Sequence, residues 1–271
     1  MAGDEALRFG VVIPARMEAV RLPGKPLRQI LGKPMILYAL ELSKRAGAEF
    51  VWVATDSEAI AQVVRDAGGD VVMTSTEHRC GSDRIAEAVR ARGLHPDTIV
   101  VNVQGDEPLL PPSMVLLVAQ SLDATPGAGV ATLATPLREP SEVSNPNAVK
   151  VVCARSGFAL YFSRASIPHS GASVQQNHVP ALRHIGLYAY RVSTLCQLAA
   201  HGPVALEAQE SLEQLRALWL GIGIHVHVVE EGPPHGVDTQ EDLARVVERV
   251  RSEPVPPEGA PALRREPAEP R

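Results

Sequence analysis

Short apolar, β-branched runs recur along the chain: FGVVI from Phe9, FVWVAT from Phe50, DVVMT from Asp70 and TIVVNVQ from Thr98, then GVATLAT from Gly129, AVKVV from Ala148, HIGLYAY from His184 and IHVHVV from Ile224. Runs this short and this continuously apolar suit strands buried on both faces. Between several of them the apolar residues repeat with the helical period, over Pro34–Arg45, Ser57–Ala67, Ser82–Arg92, Pro112–Leu122, Leu206–Leu220 and Thr239–Val250. Strands alternating with helices predict βαβ units and a mostly parallel sheet covered on both sides. From Gly129 to Tyr190 strands follow one another with little helix, which predicts antiparallel additions to that sheet.

Composition narrows this to one globular unit. The chain has 271 residues, 45% of them hydrophobic, enough for a large core, and a single α/β domain over residues 8–252 is expected. The last nineteen residues, from Glu253, contain six prolines, and a disordered tail is expected there. Three scattered cysteines without a C-x-x-C spacing argue against a disulfide framework or zinc site and for a reducing compartment. The N-terminus has no apolar signal segment, and no apolar run is long enough to span a bilayer, so the expectation is a soluble cytoplasmic protein with no membrane partner. A net charge of -5 argues against nucleic-acid binding.

Against that acidity, one loop is basic. After the first strand, Arg16, Arg21, Lys25, Arg28 and Lys33 face only Glu18, punctuated by Pro23, Gly24 and Pro26. In an open α/β sheet, ligands bind beyond the carboxyl ends of the strands, where this loop lies. Its Arg and Lys side chains suit phosphate oxygens, so a polyphosphate cradle and a solvated surface loop are the two readings. Neither the P-loop nor the G-x-G-x-x-G pattern is present.

Two acidic stretches supply the opposite charge. In TIVVNVQGDEP, Asp106 and Glu107 follow a run apolar enough for a central strand, and carboxylates facing a basic loop are what a Mg²⁺–nucleotide site requires. In HGVDTQEDLARVVERV, Asp238 precedes the last helix: either Asp238 or Thr239 caps that helix with Asp242 closing the box, or Asp238 turns toward a metal. His225 and His227 have the spacing of two ligands on one strand face, but without a third ligand they read as its polar side.

Taken together, VVIPARMEAVRLPGKPL, LGKPMI, VATD, CGSDRIAEAV, VNVQGDEP, NPNAVKVV, LYFSRASIP, RHIGLYAY, LEQLRALW and GVDTQEDL resemble the 3-deoxy-D-manno-octulosonate (Kdo) cytidylyltransferase family from about Phe9 to Val250. The resemblance implies a three-layer, Rossmann-like mixed sheet of the nucleotide-diphosphosugar-transferase type, in a single domain with an antiparallel extension. It also implies a homodimer, with Mg²⁺-dependent transfer of CMP from CTP to Kdo for lipopolysaccharide assembly.

By the same resemblance Arg16 and Lys25 grip the CTP phosphates, Ser82 and Arg84 hold the nucleotide, and Gln104 lies between nucleotide and sugar. Asp106 and Asp238 are the implied metal carboxylates, with Arg16, Lys25 and Asp106 catalytic. Arg164, His184, Tyr188, Glu213 and Gln214 line the implied sugar pocket, and the sugar carboxylate is met by Arg164 or, alternatively, by a backbone amide or Gln104. Without the resemblance, His184 and Tyr188 share one strand face and read as core packing. Glu213 and Gln214 are expected on one helix beside the stripe Leu212, Leu215 and Trp219. Cys80 stands where the family commonly has a hydroxyl residue, and QGDEP lacks the D-x-D spacing of metal-dependent glycosyltransferases.

Overall fold

The computed structural model describes residues 7–18, 21–78, 80–169 and 181–252. Its first half is a succession of βα units. Strand β1 (Phe9–Ala15) leads through the basic loop to a small hairpin, β2 (Gln29–Ile30) and β3 (Lys33–Pro34), and helix α1 (Met35–Arg45). Then come β4 (Phe50–Thr55), α2 (Glu58–Asp66), β5 (Asp70–Met73), α3 (Gly81–Ala91), β6 (Ile99–Asn102) and α4 (Pro112–Asp123). The second half holds β7 (Ala128–Pro136), α5 (Pro140–Ser144), β8 (Lys150–Cys153), β9 (Ala159–Ser163) and β10 (Leu182–Arg191), then α6 (Val192–His201), α7 (Ala205–Glu210), α8 (Leu215–Trp219), β11 (Gly223–Val228) and α9 (Gln240–Ser252).

Seven strands run across the main sheet in the order β11-β7-β10-β6-β1-β4-β5, and β8 and β9 extend it from β10. Strands β4, β5 and β6 join β1 in parallel, and β11 is parallel to β7, whereas β10 is antiparallel to both β6 and β7. The predicted mixed sheet with antiparallel additions is therefore the sheet observed.

Alternation within each strand sends side chains to both faces, and helices bury both. Phe9, Val11 and Ile13 of β1 pack with Ile36 and Leu40 of α1 and Val115 and Leu122 of α4. Val12, one position out of phase, joins Ile85 and Val89 of α3, Leu195 of α6 and Leu215 of α8 on the other side. A third cluster seats α9 on the hairpin through Leu22, Ile30, Leu243 and Val246. This last contact carries the C-terminal segment back to the first loop.

The chain order places a switch point in the sheet. β4 and β5 lie on one side of β1 and β6 lies on the other, so the loops leaving β1 and β6 diverge and open a crevice between them. The basic loop enters it through Gly24, whose φ of 68° is left-handed and permits the single 3₁₀ turn Lys25–Leu27.

Several sequence expectations are corrected. The helix expected over Leu206–Leu220 is two helices, broken at Ser211, which is left-handed with φ 52°. Arg164 holds this break by donating to the carbonyls of Glu210 and Ser211. Glu213 and Gln214 therefore lie in the turn between α7 and α8, and Trp219 is exposed instead of completing an apolar stripe. Strand β9 and helix α6 lie outside the predicted elements. The proline-rich tail, residues 253–271, lies outside the described residues.

Candidate active site

The crevice holds a cleft of about 320 Å³. That lies within the usual range for a small-molecule site. Arg16, Lys25, Arg84, Gln104, Asp106 and Asp238 all line it, drawn from the β1 loop, helix α3, the β6 loop and the segment before α9. Its charge is organised around one ammonium. Lys25 Nζ donates to Asp106 Oδ2 at 2.5 Å and to Asp238 Oδ1 at 3.1 Å, and Arg21 reaches Asp238 Oδ2 at 3.0 Å. Burial works against the Lys25 charge, but the two carboxylates outweigh it and raise its pKa. Arg16 is exposed on the wall and makes no hydrogen bond or ion pair among the described residues.

The capping question at α9 is resolved by a division of labour. Asp242 Oδ2 accepts from the backbone N–H groups of Asp238 and Thr239 at 3.0 and 2.8 Å, and Thr239 Oγ1 accepts from Asp242 N at 3.2 Å. This is a capping box made by Thr239 and Asp242. The Asp238 carboxylate takes no part in it and points to Lys25 and Arg21.

Two carboxylates that meet on one cation form an open, all-oxygen donor set. That fits a Mg²⁺-like ion completed by water and substrate phosphates, and it lacks the nitrogen and sulfur ligands of a closed zinc site. Among the described residues no cluster of three or more His, Cys, Asp or Glu side chains is arranged around a metal position.

Helix α3 forms another wall. Arg84 lines the cleft, yet its guanidinium is anchored to Asp56 Oδ2 at 2.6 Å and Thr74 Oγ1 at 2.6 Å. Ser82 is buried, with its hydroxyl 3.6 Å from Cys80 Sγ. Cys80 occupies the N-cap of α3 without a side-chain capping bond. Burial and the nearby Glu213 carboxylate push its thiol up to about 12.

His78, which the sequence expectations omit, lines this wall with its ring bonded to Glu87. Its place two residues before CGSDR is the signal that marks it.

The residues implied for the sugar lie deeper in the fold beside the cleft, and His184, Tyr188, Glu213 and Gln214 do not line it. Tyr188 is the sheet partner of Asn102, which accepts a hydrogen bond from Gln104 Nε2 at 3.2 Å, so this region adjoins the cleft across β6 and β10. A bulge between Ile185 and Tyr188 keeps His184 and Tyr188 together, their ring centroids 5.3 Å apart. His184 Nε2 pairs with Thr132 Oγ1 at 3.0 Å, and burial lowers its pKa to about 3, which leaves the imidazole neutral. Burial raises the Glu213 carboxyl to about 7. Gln214 Nε2 is buried without a partner among the described residues.

Arg164 is tied into the neighbouring backbone. Its guanidinium is held by the carbonyls of Glu210, Pro146 and Ser211, and it does not line the cleft. Three backbone acceptors take three of the five guanidinium N–H donors.

Residues 10–224 match the family model described as Cytidylyltransferase. A 3-deoxy-manno-octulosonate cytidylyltransferase from Aliivibrio fischeri (strain ATCC 700601 / ES114) is 51% identical over 244 residues, spanning 89% of this chain and 98% of that protein. The protein of the same name from Serratia proteamaculans is 49% identical over 249 residues, 90% of this chain and 100% of its own. A solved structure of CMP:2-keto-3-deoxy-manno-octonic acid synthetase complexed with CTP superposes with a TM-score of 0.84 at 38% identity, covering 91% of this chain and 100% of that one.

Proposed function

The chain belongs to the 3-deoxy-manno-octulosonate cytidylyltransferase family, and from that premise we propose how its cleft transfers CMP from CTP to Kdo, releasing pyrophosphate and giving CMP-Kdo for lipopolysaccharide assembly. The observation that carries the site assignment is the convergence of Asp106 and Asp238 on Lys25 at the sheet's switch point.

The reaction is an in-line displacement at the α-phosphorus by the anomeric hydroxyl of the sugar, and it asks the protein mainly for positioning and charge. Arg16 and Lys25 neutralise the charge that grows on the departing pyrophosphate. Asp106 and Asp238 would hold Mg²⁺, which would supply Lewis-acid polarisation of the phosphate. Ser82 and Arg84 shape the nucleotide wall, and Gln104 stands between nucleotide and sugar. His184, Tyr188 and Gln214 offer neutral hydrogen-bonding groups to the sugar and Glu213 a carboxyl that burial raises to about 7, while Arg164 fixes the 210–211 turn that carries Glu213 and Gln214 into place.

The same reading makes the enzyme cytoplasmic and homodimeric. Leu160 and Trp219, 61% and 59% exposed on the contacting elements β9 and α8, offer a second copy apolar surface to cover. Among the described residues no helix is long and apolar enough to cross a membrane.

The test is pyrophosphate release measured with CTP, Mg²⁺ and a panel of acidic sugars. Release with Kdo, abolished by omitting any one component, is the expected result. Turnover with another acidic sugar but never with Kdo reassigns the acceptor.

A further inference from the structure

Asp106 and Asp238 stand far apart in the chain, so something must hold their backbones at a fixed spacing. One link is a backbone bond, Val237 N donating to the Asp106 carbonyl at 2.9 Å. Beside it the two segments touch with no room between them. A Cβ built on Gly236 would stand 2.8 Å from Glu107 Oε1, 3.0 Å from Glu107 Cδ and 3.1 Å from the Asp106 carbonyl oxygen. Gly236 has no left-handed φ, so the demand there is for space and not for an unusual backbone conformation.

Glu107 stands outside the Lys25 ion pairs that join its neighbours, and it does not line the cleft. Its carboxyl is packed against the 236 position, directly behind the peptide that carries Asp106. On the other side of the contact, Asp238 is fixed immediately downstream by the Asp242 cap. The Asp238 backbone is therefore pinned from both directions, and the Glu107–Gly236 contact sets how near it comes to Asp106.

We propose that Glu107 and Gly236 are positioning residues: the Glu107 side chain packed on the bare Cα of Gly236 is a spacer that sets the separation of the two metal-binding carboxylates. The inference rests on the assignment of Asp106 and Asp238 as metal ligands. A methyl group at 236 forces the segments apart or displaces the Glu107 side chain. Removing the Glu107 side chain leaves the 236 segment without its stop.

The test is Mn²⁺ binding to the enzyme–CTP complex without sugar, read from the free-Mn²⁺ resonance signal, alongside CTP binding without metal. Gly236→Ala and Glu107→Ala are each expected to weaken Mn²⁺ binding by about tenfold, as displaced supporting groups do, with metal-free CTP binding unchanged. In Gly236→Ala/Glu107→Ala the methyl enters the space left by the carboxyl, so the double variant binds Mn²⁺ about as Glu107→Ala does and not additively worse. Unchanged Mn²⁺ binding in both single variants, or fully additive losses in the double variant, overturns the spacer. If Gly236→Ala does not fold, Glu107→Ala and the double variant still decide. Asp106→Asn separates the two ideas: if it binds Mn²⁺ like the wild type, the ligand assignment fails, and if it loses Mn²⁺ while Glu107→Ala does not, only the spacer fails.

Discussion

The cleft and the buried region beside it handle polar groups in opposite ways. At the phosphate side, Arg16, Lys25, Asp106 and Asp238 sit beyond strand ends, and Lys25 pairs with both carboxylates. In the inner region, His184 and Tyr188 belong to β10 and Glu213 to the α7–α8 turn, and burial drives each toward its neutral form. A triphosphate with its metal needs fixed charge of both signs within reach. The hydroxyls of the sugar are met by neutral donors and acceptors, which discriminate through unmade hydrogen bonds and not through field strength.

The sharpest break in that contrast is Arg84, a charged residue treated as the inner side treats its own. It is 3% exposed and tied to Asp56 and Thr74, so Arg84→Met leaves the Asp56 carboxylate without its cation. Losing one partner of a buried pair costs about 3–5 kcal/mol of stability. Denaturant unfolding reads this directly, and a loss below about 1 kcal/mol would place Arg84 with the solvated cations of the β1 loop.

Next comes Asp106→Asn, which keeps the shape of the charged side and removes one of its two carboxylates. A preorganised electrostatic group of this kind is worth about 10²–10³ in turnover. The expected variant folds normally and loses that factor in pyrophosphate release. Wild-type turnover would mean that the charge pairing around Lys25 is structural.

The inner side is sharpened by pH. Burial lifts the Glu213 carboxyl from its ordinary 4.5 to about 7. Between those values the folded protein holds a proton that the unfolded chain has already released, so this group makes stability fall as the pH rises through the window. Glu213→Gln removes that contribution, and the thermal midpoint of the variant is expected to drop less than that of the wild type from pH 5 to pH 7. Parallel curves would show that Glu213 titrates as a solvated acid.

The same contrast explains what the chain reveals before it is folded. The charged side is legible because its residues follow apolar strand runs at a predictable edge of the sheet, as Asp106 does after TIVVNVQG. The inner side depends on breaks that no period announces. Leu206–Leu220 reads as one helix by its apolar spacing, yet Ser211 adopts a left-handed conformation that distant Arg164 supports. Resemblance to a family names Arg164, Glu213 and Gln214, but it does not say that backbone carbonyls already hold the Arg164 guanidinium. Asp238 lies between these cases: its neighbours show that the helix must be capped, and only the fold shows that Thr239 does the capping and leaves the carboxylate free.

The smallest effect is expected where the two sides meet, at Cys80. It caps α3 only weakly: no side-chain capping bond to the helix N–H groups forms, the Asp83 N–H merely lies near enough to favour the thiolate a little, and burial outweighs it and keeps the thiol protonated with a pKa of about 12. Serine accepts from those N–H groups while still donating toward Glu213, so Cys80→Ser satisfies a helix end that the thiol leaves open. A good cap contributes about 0.5–1 kcal/mol over a residue that does not cap, or about 1–4 °C in thermal midpoint for a domain of this size. Cys80→Ala removes thiol and hydroxyl alike, so the gain from the cap is the difference between the serine and alanine variants. If serine stabilises no more than alanine does, the open helix end is already satisfied by solvent in the cleft, and this wall belongs with the wet, charged side.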